Sequence, residues 1–421
     1  MSRPESEKDN SELENGESPF DRLTDKILEK IFGYFEPAEI IENLVLVCER
    51  WRTIIEAMKK CVSFNDCEAR AILQFICRFP DTLKSIRLNN VFGSIAVILK
   101  KLRRKQKYLK QIHIDSCQIV PNKNPYVAGR RLRNFIEVCR YLEKLSLKNV
   151  EYRVDDLLDA FPFLENLRAL AIGNNPWLQP VDVITIIMNC TNLRSITLYH
   201  IDSMRDQDMK FLLCNKRLNE NLQELSLDQV TELTSIAYQY ILNCKNLKKL
   251  HINYSTGFSA DTLMEIPIKL SSLRSFNIER ACRISCGNLC EFFKDRALKL
   301  HEFGLTDCCC RFQDDCLSVL LAYQCRHLVH LALRNCLHLK NVSEIFEKCK
   351  FLRTLDLSGC ETLESEMNMK TESCMNLIKV TLPNHLSEAH QRITKSDSIK
   401  LEFQEIGDYQ EAIDIESVSF V

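Results

Sequence analysis

The hexapeptide "LRSITL" at residues 193–198 is one copy of the motif that determines the fold. Twelve copies of the pattern Leu-x-x-apolar-x-Leu/Ile follow one another between residues 83 and 382, at intervals of 24 to 33 residues. The fourth and sixth positions alternate with polar ones, which is the two-residue period of a β-strand. The intervening segments, such as "VDVITIIMNC" at 181–190, carry apolar residues at helical spacing. Each repeat is therefore predicted to contain one strand and one helix.

One strand and one helix cannot bury their apolar faces alone, so neighbouring repeats must stack into a solenoid. The sequence resembles the cysteine-containing class of leucine-rich repeats, in which a Cys commonly lies three residues before the first Leu. Six repeats carry it, at Cys139, Cys190, Cys244, Cys325, Cys349 and Cys374. A second position, three residues after the last Leu or Ile, holds Cys117, Asn175, Cys308, Cys336 and Cys360. The resemblance implies an α/β fold, a right-handed horseshoe solenoid. We also expect a degenerate first strand at 62–66 and a capping strand at 399–403.

The N-terminal stretch "FDRLTDKILEKIFGYFEPAEIIENLVLVCERWRTII", residues 20–55, lies outside this repeat. Its apolar residues fall on two predicted helical faces, one around Ile27 and Leu28 and the other from Leu44 to Trp51. A unit of about forty residues has too small a core to be very stable by itself. It must therefore bury apolar surface against the solenoid or against a partner.

This stretch resembles an F-box, and Leu23, Ile27, Leu28, Ile31, Phe32, Tyr34, Pro37 and the ending Val47-Cys48-x-x-Trp51 fit the family pattern. Thr24, Phe35 and Ile40 depart from it, although Phe35 and Ile40 keep apolar character and Thr24 can serve as an N-cap. The resemblance implies docking onto the Skp-type adaptor of a cullin–RING (SCF) ubiquitin ligase. The adaptor-binding residues would be Leu23, Ile27, Leu28, Ile31, Phe35, Pro37, Leu44, Val47, Cys48 and Trp51. The alternative is that this unit only caps the solenoid.

The third, fifth and seventh positions of each repeat face outward and are mostly polar, with mixed charge. Such a concave face suits a protein ligand better than a small apolar molecule. Tyr199, His200, Tyr254 and Arg280 are the candidate substrate anchors, because Tyr and Arg are enriched in binding hot spots. The longest interval contains "QIVPNKNPYVAGRR" at 118–131, which is either part of a binding face or a neutral surface loop.

Composition excludes several other functions. The 421 residues carry a net charge of −1, which disfavours binding to nucleic acid or an anionic membrane. The N-terminus lacks the apolar region of a signal peptide, and no apolar run is long enough for a membrane span, so we expect a cytoplasmic or nuclear protein. Its 21 cysteines should then be mostly reduced.

The cysteines near residues 282–316 lack paired zinc-ligand spacing, so we read them as small core residues and expect no metal and no cofactor. No phosphate loop, nucleophile motif or His-Glu-x-x-His sequence occurs, so the chain is predicted to be a non-catalytic subunit of a ligase complex rather than an enzyme. Its partners would be the adaptor, through it the cullin and RING subunits, and a protein substrate.

The predicted organisation has four parts. A disordered acidic N-terminus covers 1–18, the F-box 19–60, about 12–13 leucine-rich repeats 61–390, and a capping segment with an acidic tail 391–421. The whole would be a substrate-recognition subunit of an SCF ligase. The alternatives are a leucine-rich scaffold that binds the adaptor without ubiquitylation, and an enzyme inhibitor or GTPase regulator.

Overall fold

The computed structural model describes ten ranges of the chain: residues 19–32, 44–58, 61–78, 83–105, 109–281, 283–295, 299–307, 311–364, 374–389 and 399–404. The first two hold a small helical unit. The remaining ones hold repeating strands and helices that build a solenoid, as the repeat predicts.

The strands form one parallel sheet of fourteen members in which each strand pairs with the next along the chain. They are β1 (Cys61–Asn65), β2 (Ser85–Asn89), β3 (Gln111–Asp115), β4 (Lys144–Lys148), β5 (Ala169–Gly173), β6 (Ser195–Tyr199), β7 (Glu224–Asp228), β8 (Lys249–Asn253), β9 (Ser275–Glu279), β10 (Glu302–Thr306), β11 (His330–Arg334), β12 (Thr354–Asp356), β13 (Lys379–Pro383) and β14 (Lys400–Gln404). Twelve of these strands coincide with the twelve sequence copies. The expected degenerate first strand is β1, and the expected capping strand is β14.

Most connections between successive strands contain a helix. The helices are α1 (Asp25–Phe32) and α2 (Glu49–Met58) in the N-terminal unit, followed by α3 (Ala69–Arg78), α4 (Ala96–Lys105), α5 (Pro125–Ile136), α6 (Asp155–Leu158), α7 (Pro180–Asn189), α8 (Asp206–Leu213), α9 (Lys216–Asn221), α10 (Ser235–Ile241), α11 (Ala260–Lys269), α12 (Cys286–Lys294), α13 (Asp314–Gln324) and α14 (Ser343–Lys348). Helices of neighbouring repeats pack on one another. Within the described ranges, none of them combines the length and apolarity that crossing a bilayer requires.

The core consists of the repeat positions that define the motif. The first, fourth and sixth residues of all twelve copies are buried. This core continues from β1 into the N-terminal unit, where Ile54 and Ile55 belong to the same cluster as Val62 and Phe64. The apolar period of the sequence therefore produces one continuous core rather than separate ones.

A backbone feature also repeats, directly after each strand. The eighth residue of the repeat adopts positive φ after each of the first eleven strands, although none is glycine: Asp66, Asn90, Ser116, Asn149, Asn174, His200, Gln229, Tyr254, Arg280, Asp307 and Asn335. In the first ten of these residues the N–H donates to the carbonyl that ends the following strand, at 2.8–3.3 Å, and the Asn335 N–H donates to the Ser358 carbonyl, just beyond β12, at 2.9 Å. Left-handed backbone costs roughly 1–2 kcal/mol for such residues, and this regular hydrogen bond offsets part of that cost. We call these residues the rim row, because they lie where the strands end.

The second Cys or Asn position of the repeat has a hydrogen-bonding role. The Sγ of Cys117 donates to the carbonyl of Leu88 at 3.3 Å, and the Sγ of Cys360 donates to that of Leu333 at 2.9 Å. Nδ2 of Asn175 donates to the carbonyl of Tyr152 at 2.9 Å. Cys and Asn are interchangeable here because each supplies a small buried donor to the preceding repeat. Cys308 lies outside the described residues.

The other Cys position fills the core. Burial raises the pKa of the thiols of Cys139, Cys190, Cys244 and Cys349 to about 12, so these thiols are protonated and unreactive at neutral pH. Fifteen described cysteines are free, and Cys286 is disulfide-bonded to Cys316.

Candidate functional site

The N-terminal unit is built around one tryptophan. The ring of Trp51, on α2, lies 4.8 Å from that of Phe32 on α1 and 5.4 Å from that of Phe20, measured between centroids. Only 9% of Trp51 is exposed, and Leu28 and Phe32 are fully buried. Trp51 therefore joins α1 to α2 as a core residue.

Two other residues of the Val-Cys-x-x-Trp ending, Cys48 and Arg50, make hydrogen bonds within the unit. Cys48 precedes the first residue of α2, and its Sγ accepts from the Trp51 N–H at 3.4 Å. The thiol thus satisfies one of the helix's free N–H groups, as an N-cap side chain does. Arg50 reaches back to the start of α1, where it donates to the carbonyl of Leu23, just before the helix, at 2.6 Å and pairs with Asp25 Oδ1 at 2.7 Å. Helix start and helix pairing are therefore fixed by the same four-residue segment.

Four large apolar side chains of this unit remain exposed to solvent. Phe20, Ile27, Leu46 and Val47 are between 44% and 63% exposed. We call these four residues the exposed apolar set. Apolar side chains that are about half exposed leave much of their surface unburied in the folded unit, so a concentration of them on a unit of this size indicates a contact surface. Leu46 was not predicted from the sequence, because its neighbour Val47 is the motif residue and helical periodicity does not place Leu46 on the apolar face.

The ten residues predicted to bind the adaptor divide by burial. Ile27, Val47 and Cys48 are exposed; Leu23, Ile31 and Leu44 are partly buried; Leu28 and Trp51 are buried; Phe35 and Pro37 lie outside the described residues. The resemblance therefore combined side chains that can face a partner with side chains that hold the unit together. Thr24 occupies the N-cap position of α1, where its carbonyl accepts from the N–H groups of Ile27 and Leu28 at 2.9 and 3.1 Å.

The outward face of the sheet is a lattice of polar pairs between adjacent strands. Side chains of neighbouring repeats meet at 2.7–3.4 Å in Asn89–Asn65, Lys249–Glu224, Asn253–Asp228, Asn277–Glu302, His330–Thr354 and Arg334–Asp356. Each pair contributes little stability by itself. Together they fix the orientation of polar side chains along the concave face before any ligand arrives.

Three of the four predicted anchors belong to the rim row. His200, Tyr254 and Arg280 are eighth-position residues after β6, β8 and β9, and Tyr199 is the last residue of β6. The four therefore lie along one edge of the sheet, over about 15 Å at a strand spacing of about 4.8 Å. Tyr254 is 49% exposed.

The environment of the anchors differs from one to the next. His200 Nδ1 lies 2.9 Å from Gln229 Oε1, and Arg280 Nε lies 3.4 Å from Asp307 Oδ2. The Lys148 ammonium lies 5.2 Å from the Tyr199 ring centre. Gly173 of β5 pairs with Tyr199 of β6. A Cβ at position 173 would collide with the Tyr199 carbonyl, so only glycine allows the two backbones to come this close. Tyr199 is thus held in place by its neighbours.

Two histidines of the concave face are held neutral. Burial lowers the pKa of His113 to about 4, against the opposing effect of Asp115. Burial likewise lowers the pKa of His251 to about 4, against Asp228, and the His251 Nε2 is buried without a hydrogen-bond partner. These two side chains were not selected from the sequence, because a lone His in a strand does not reveal its burial.

The long interval after β3 forms an ordered, capped turn. Asn124 Oδ1 accepts from the N–H groups of Tyr126 and Val127 at the start of α5. The Arg153 guanidinium of the next repeat lies 5.1 Å from the Tyr126 ring centre and 5.4 Å from that of Trp177. The insertion is therefore tied to the following repeats by cation–π contacts, and the choice between a binding face and a neutral surface stays open.

Comparisons with known proteins agree with this architecture. A family model described as the F-box domain matches residues 20–63. Protein DIA2 of Saccharomyces cerevisiae is 27% identical over 198 residues, covering 43% of this chain and 26% of that protein. The DNA repair protein rhp7 of Schizosaccharomyces pombe is 27% identical over 194 residues, covering 39% of this chain and 33% of that protein. The matches thus span about a quarter to a third of the length of these relatives.

A solved structure shows the same fold over almost the whole chain. A chain of the yeast Rad7–Elc1 complex superposes with a TM-score of 0.55 at 16% identity, covering 90% of this chain and 92% of that one. Together with the repeat geometry and the family match, it establishes the organisation of the molecule. The chain carries an F-box domain followed by a leucine-rich-repeat solenoid.

Proposed function

We propose that this protein is a substrate receptor of an SCF-type ubiquitin ligase. The F-box would bind a Skp-type adaptor, and through it the cullin and RING subunits, while the concave face would bind a protein substrate. The observation that carries the proposal is the exposed apolar set on a unit that matches the F-box family model.

The geometry supports an intermolecular role for Ile27, Leu46 and Val47. Trp51, Phe32 and Leu28 already fill the core between α1 and α2, so the exposed side chains are not needed to complete it. Burying an exposed Val or Leu side chain contributes roughly 1.5–3 kcal/mol. A partner helix or groove that covers several of them at once would supply a specific interface.

The proposed mechanism needs no catalytic group in this chain. The continuous core from Ile55 into β1 would hold the F-box and the first repeats in one fixed relation. A substrate bound on the concave face would then stay near the ubiquitin-charged enzyme carried by the same assembly. Its lysines would react at a high effective concentration. The ligase would operate in the cytoplasm or the nucleus.

The first test is co-purification of the full chain with a Skp-type adaptor. Val47→Asp places a charge in the proposed interface and should weaken adaptor binding at least about tenfold. Val97→Asp is the matched control, since Val97 on α4 is 55% exposed and Val47 is 57% exposed. Equal adaptor recovery by the two variants would contradict the docking proposal.

A second measurement separates a ligase receptor from a scaffold. The adaptor complex isolated from cells should contain cullin and RING subunits in stoichiometric amounts, and Val47→Asp should remove all of them together. A complex that contains the adaptor but neither cullin nor RING subunit would favour the scaffold function.

A further inference from the structure

Three cysteine sulfurs meet between two neighbouring helices of the solenoid. Cys286 and Cys290 lie one turn apart on α12, and Cys316 lies on α13. All three Sγ atoms lie within 4.8 Å of one another, and those of Cys290 and Cys316 are 3.3 Å apart. We call these three residues the thiol cluster.

The thiol cluster differs from the other cysteines of the repeat. Cys117 and Cys360 each donate to a backbone carbonyl of the preceding repeat. Cys316 Sγ also lies 3.6 Å from such a carbonyl, that of Cys286, but in addition the sulfurs of the cluster lie next to one another. Within the described ranges, no other group of three Cys, His, Asp or Glu side chains brings its ligand atoms so close together. The arrangement thus resembles a set of ligands rather than a set of core residues.

We propose that Cys286, Cys290 and Cys316 bind a thiophilic d10 cation, Zn²⁺ or Cu⁺, when all three are reduced. Thiolates are the ligands that these ions prefer. At a metal–sulfur distance of about 2.3 Å, three ligands of one ion lie about 3.8–4.0 Å apart, a separation that the cluster permits. Trigonal Cu⁺ would need these three ligands alone, whereas tetrahedral Zn²⁺ would take water as its fourth.

The disulfide and the metal exclude each other, because both use the sulfurs of Cys286 and Cys316. A dithiol reductant supplies two electrons and two protons, so that the disulfide becomes two thiols and the dithiol becomes a disulfide. One cation then displaces three protons from the three thiols. The Cα atoms of Cys286 and Cys316 are 6.5 Å apart, near the wide end of the range for disulfides, so the backbone leaves room for the sulfurs to separate.

The surroundings of the cluster allow an ion to enter and be retained. Cys316 is buried, while Cys286 and Cys290 are only partly buried and line the way in from solvent. Because one cation displaces three thiol protons, the affinity should rise with pH.

The test uses the full chain, reduced with dithiothreitol and desalted without oxygen. Co²⁺ serves as the spectroscopic probe for Zn²⁺, since thiolate ligands give it a sulfur-to-metal charge-transfer band, and added Zn²⁺ should bleach that band. Cu⁺ is measured in a separate arm by competition with a chromogenic chelator. We expect one ion per chain in at least one arm, and the arm that binds more tightly identifies the ion.

Cys290→Ser removes one ligand and leaves the disulfide pair intact. It should lose at least about tenfold in affinity, since even groups outside the coordination shell cost about 10- to 100-fold when removed. Cys325→Ser is the matched control, because Cys325 caps the same helix α13, is partly buried and is a free thiol. Circular dichroism confirms that both variants are folded.

Two outcomes would overturn the proposal. One is the absence of stoichiometric binding in both arms by fully reduced, folded protein. The other is equal affinity of the wild type, Cys290→Ser and Cys325→Ser, which would place the ion elsewhere on the chain.

Discussion

The F-box and the solenoid use their motif residues in different ways. In the solenoid, the first, fourth and sixth positions of every repeat are buried, so each motif residue has its partner inside the chain. In the F-box, the motif residues Leu28 and Trp51 are buried while Ile27 and Val47 are exposed. A motif that only builds a fold is satisfied by that fold. A motif whose residues stay partly exposed leaves apolar surface that a second protein could cover.

The largest expected effect is the loss of the F-box core. Trp51→Ala removes the ring that joins Phe20 and Phe32 and should cost about 3–5 kcal/mol. Because the unit is small, that loss should unfold α1 and α2 locally. Hydrogen exchange followed by mass spectrometry should show fast exchange in residues 19–32 and 44–58 and unchanged protection in β2–β13.

The matched variant in the solenoid is Phe276→Ala. The buried Phe276 ring lies 6.2 Å from that of Phe258 and 5.5 Å from that of Phe292, measured between centroids. The substitution therefore removes aromatic contacts comparable to those of Trp51. It should accelerate exchange in the repeats on either side and leave the F-box protected, because solenoid repeats contact only their neighbours. If Trp51→Ala also loosened the distant repeats, the two regions would be one cooperative unit.

The pH dependence of stability should also differ between the F-box and the solenoid. All nine histidines of the sequence follow the F-box, from His113 onward. The lowered pKa of His113 and His251 means that the unfolded chain binds protons at a pH where the folded chain does not. Stability should therefore fall as the pH drops from about 6.5 towards 4, by about 1 kcal/mol per pH unit for each histidine.

Urea unfolding of the solenoid at several pH values measures this slope. The raised pKa values of Asp228 and Glu279 act in the opposite sense, because those carboxyls bind protons more readily when folded. Comparison with the double variant His113→Gln, His251→Gln isolates the histidines, and the slope should become smaller. An unchanged slope would show that these two side chains are accessible to protons in the folded state.

The sequence predicted the solenoid well because its signal is repeated and local. The two-residue alternation recurs in twelve copies, and stacking these copies in chain order buries the apolar positions of all of them. The structure has this arrangement, because each strand pairs with the next along the chain. The rim row was not predicted. Asn, His, Tyr and Arg occupy the same left-handed position after their strands, and residue type does not mark a conformation imposed by the neighbouring repeat.

The candidate surfaces were predicted less completely. Helical periodicity groups Ile27 with Leu28, yet only Leu28 is buried, because the face that α2 covers is a tertiary property. The cysteines near residues 282–316 were predicted to be core residues for a similar reason. Cys290 and Cys316 are 26 residues apart in sequence, and only the stacking of α12 on α13 brings their sulfurs together.

A smaller effect should come from the ion pair between α1 and α2. Arg50→Ala removes the contacts to Asp25 and Leu23 and should destabilise the F-box by about 1 kcal/mol, because the pair is partly exposed. Arg52→Ala is the control, since its contact with Glu49 is longer, at 3.7 Å, and more exposed. Local exchange rates in α1 should rise for Arg50→Ala alone, and added salt should narrow the difference.

The smallest expected effect on stability belongs to the rim row. Tyr254→Ala removes a side chain that is 49% exposed, so stability should change by less than about 0.5 kcal/mol. If Tyr254 is a substrate anchor, the same variant should recover at least about tenfold less of the polypeptides that co-purify with the wild-type chain. Tyr323→Ala, on the helical side and 43% exposed, is the matched control. Equal recovery by both variants would remove Tyr254 from the binding surface, whereas a loss confined to Tyr254→Ala would show that the sheet edge uses exposed side chains to hold a second protein, as proposed for the F-box.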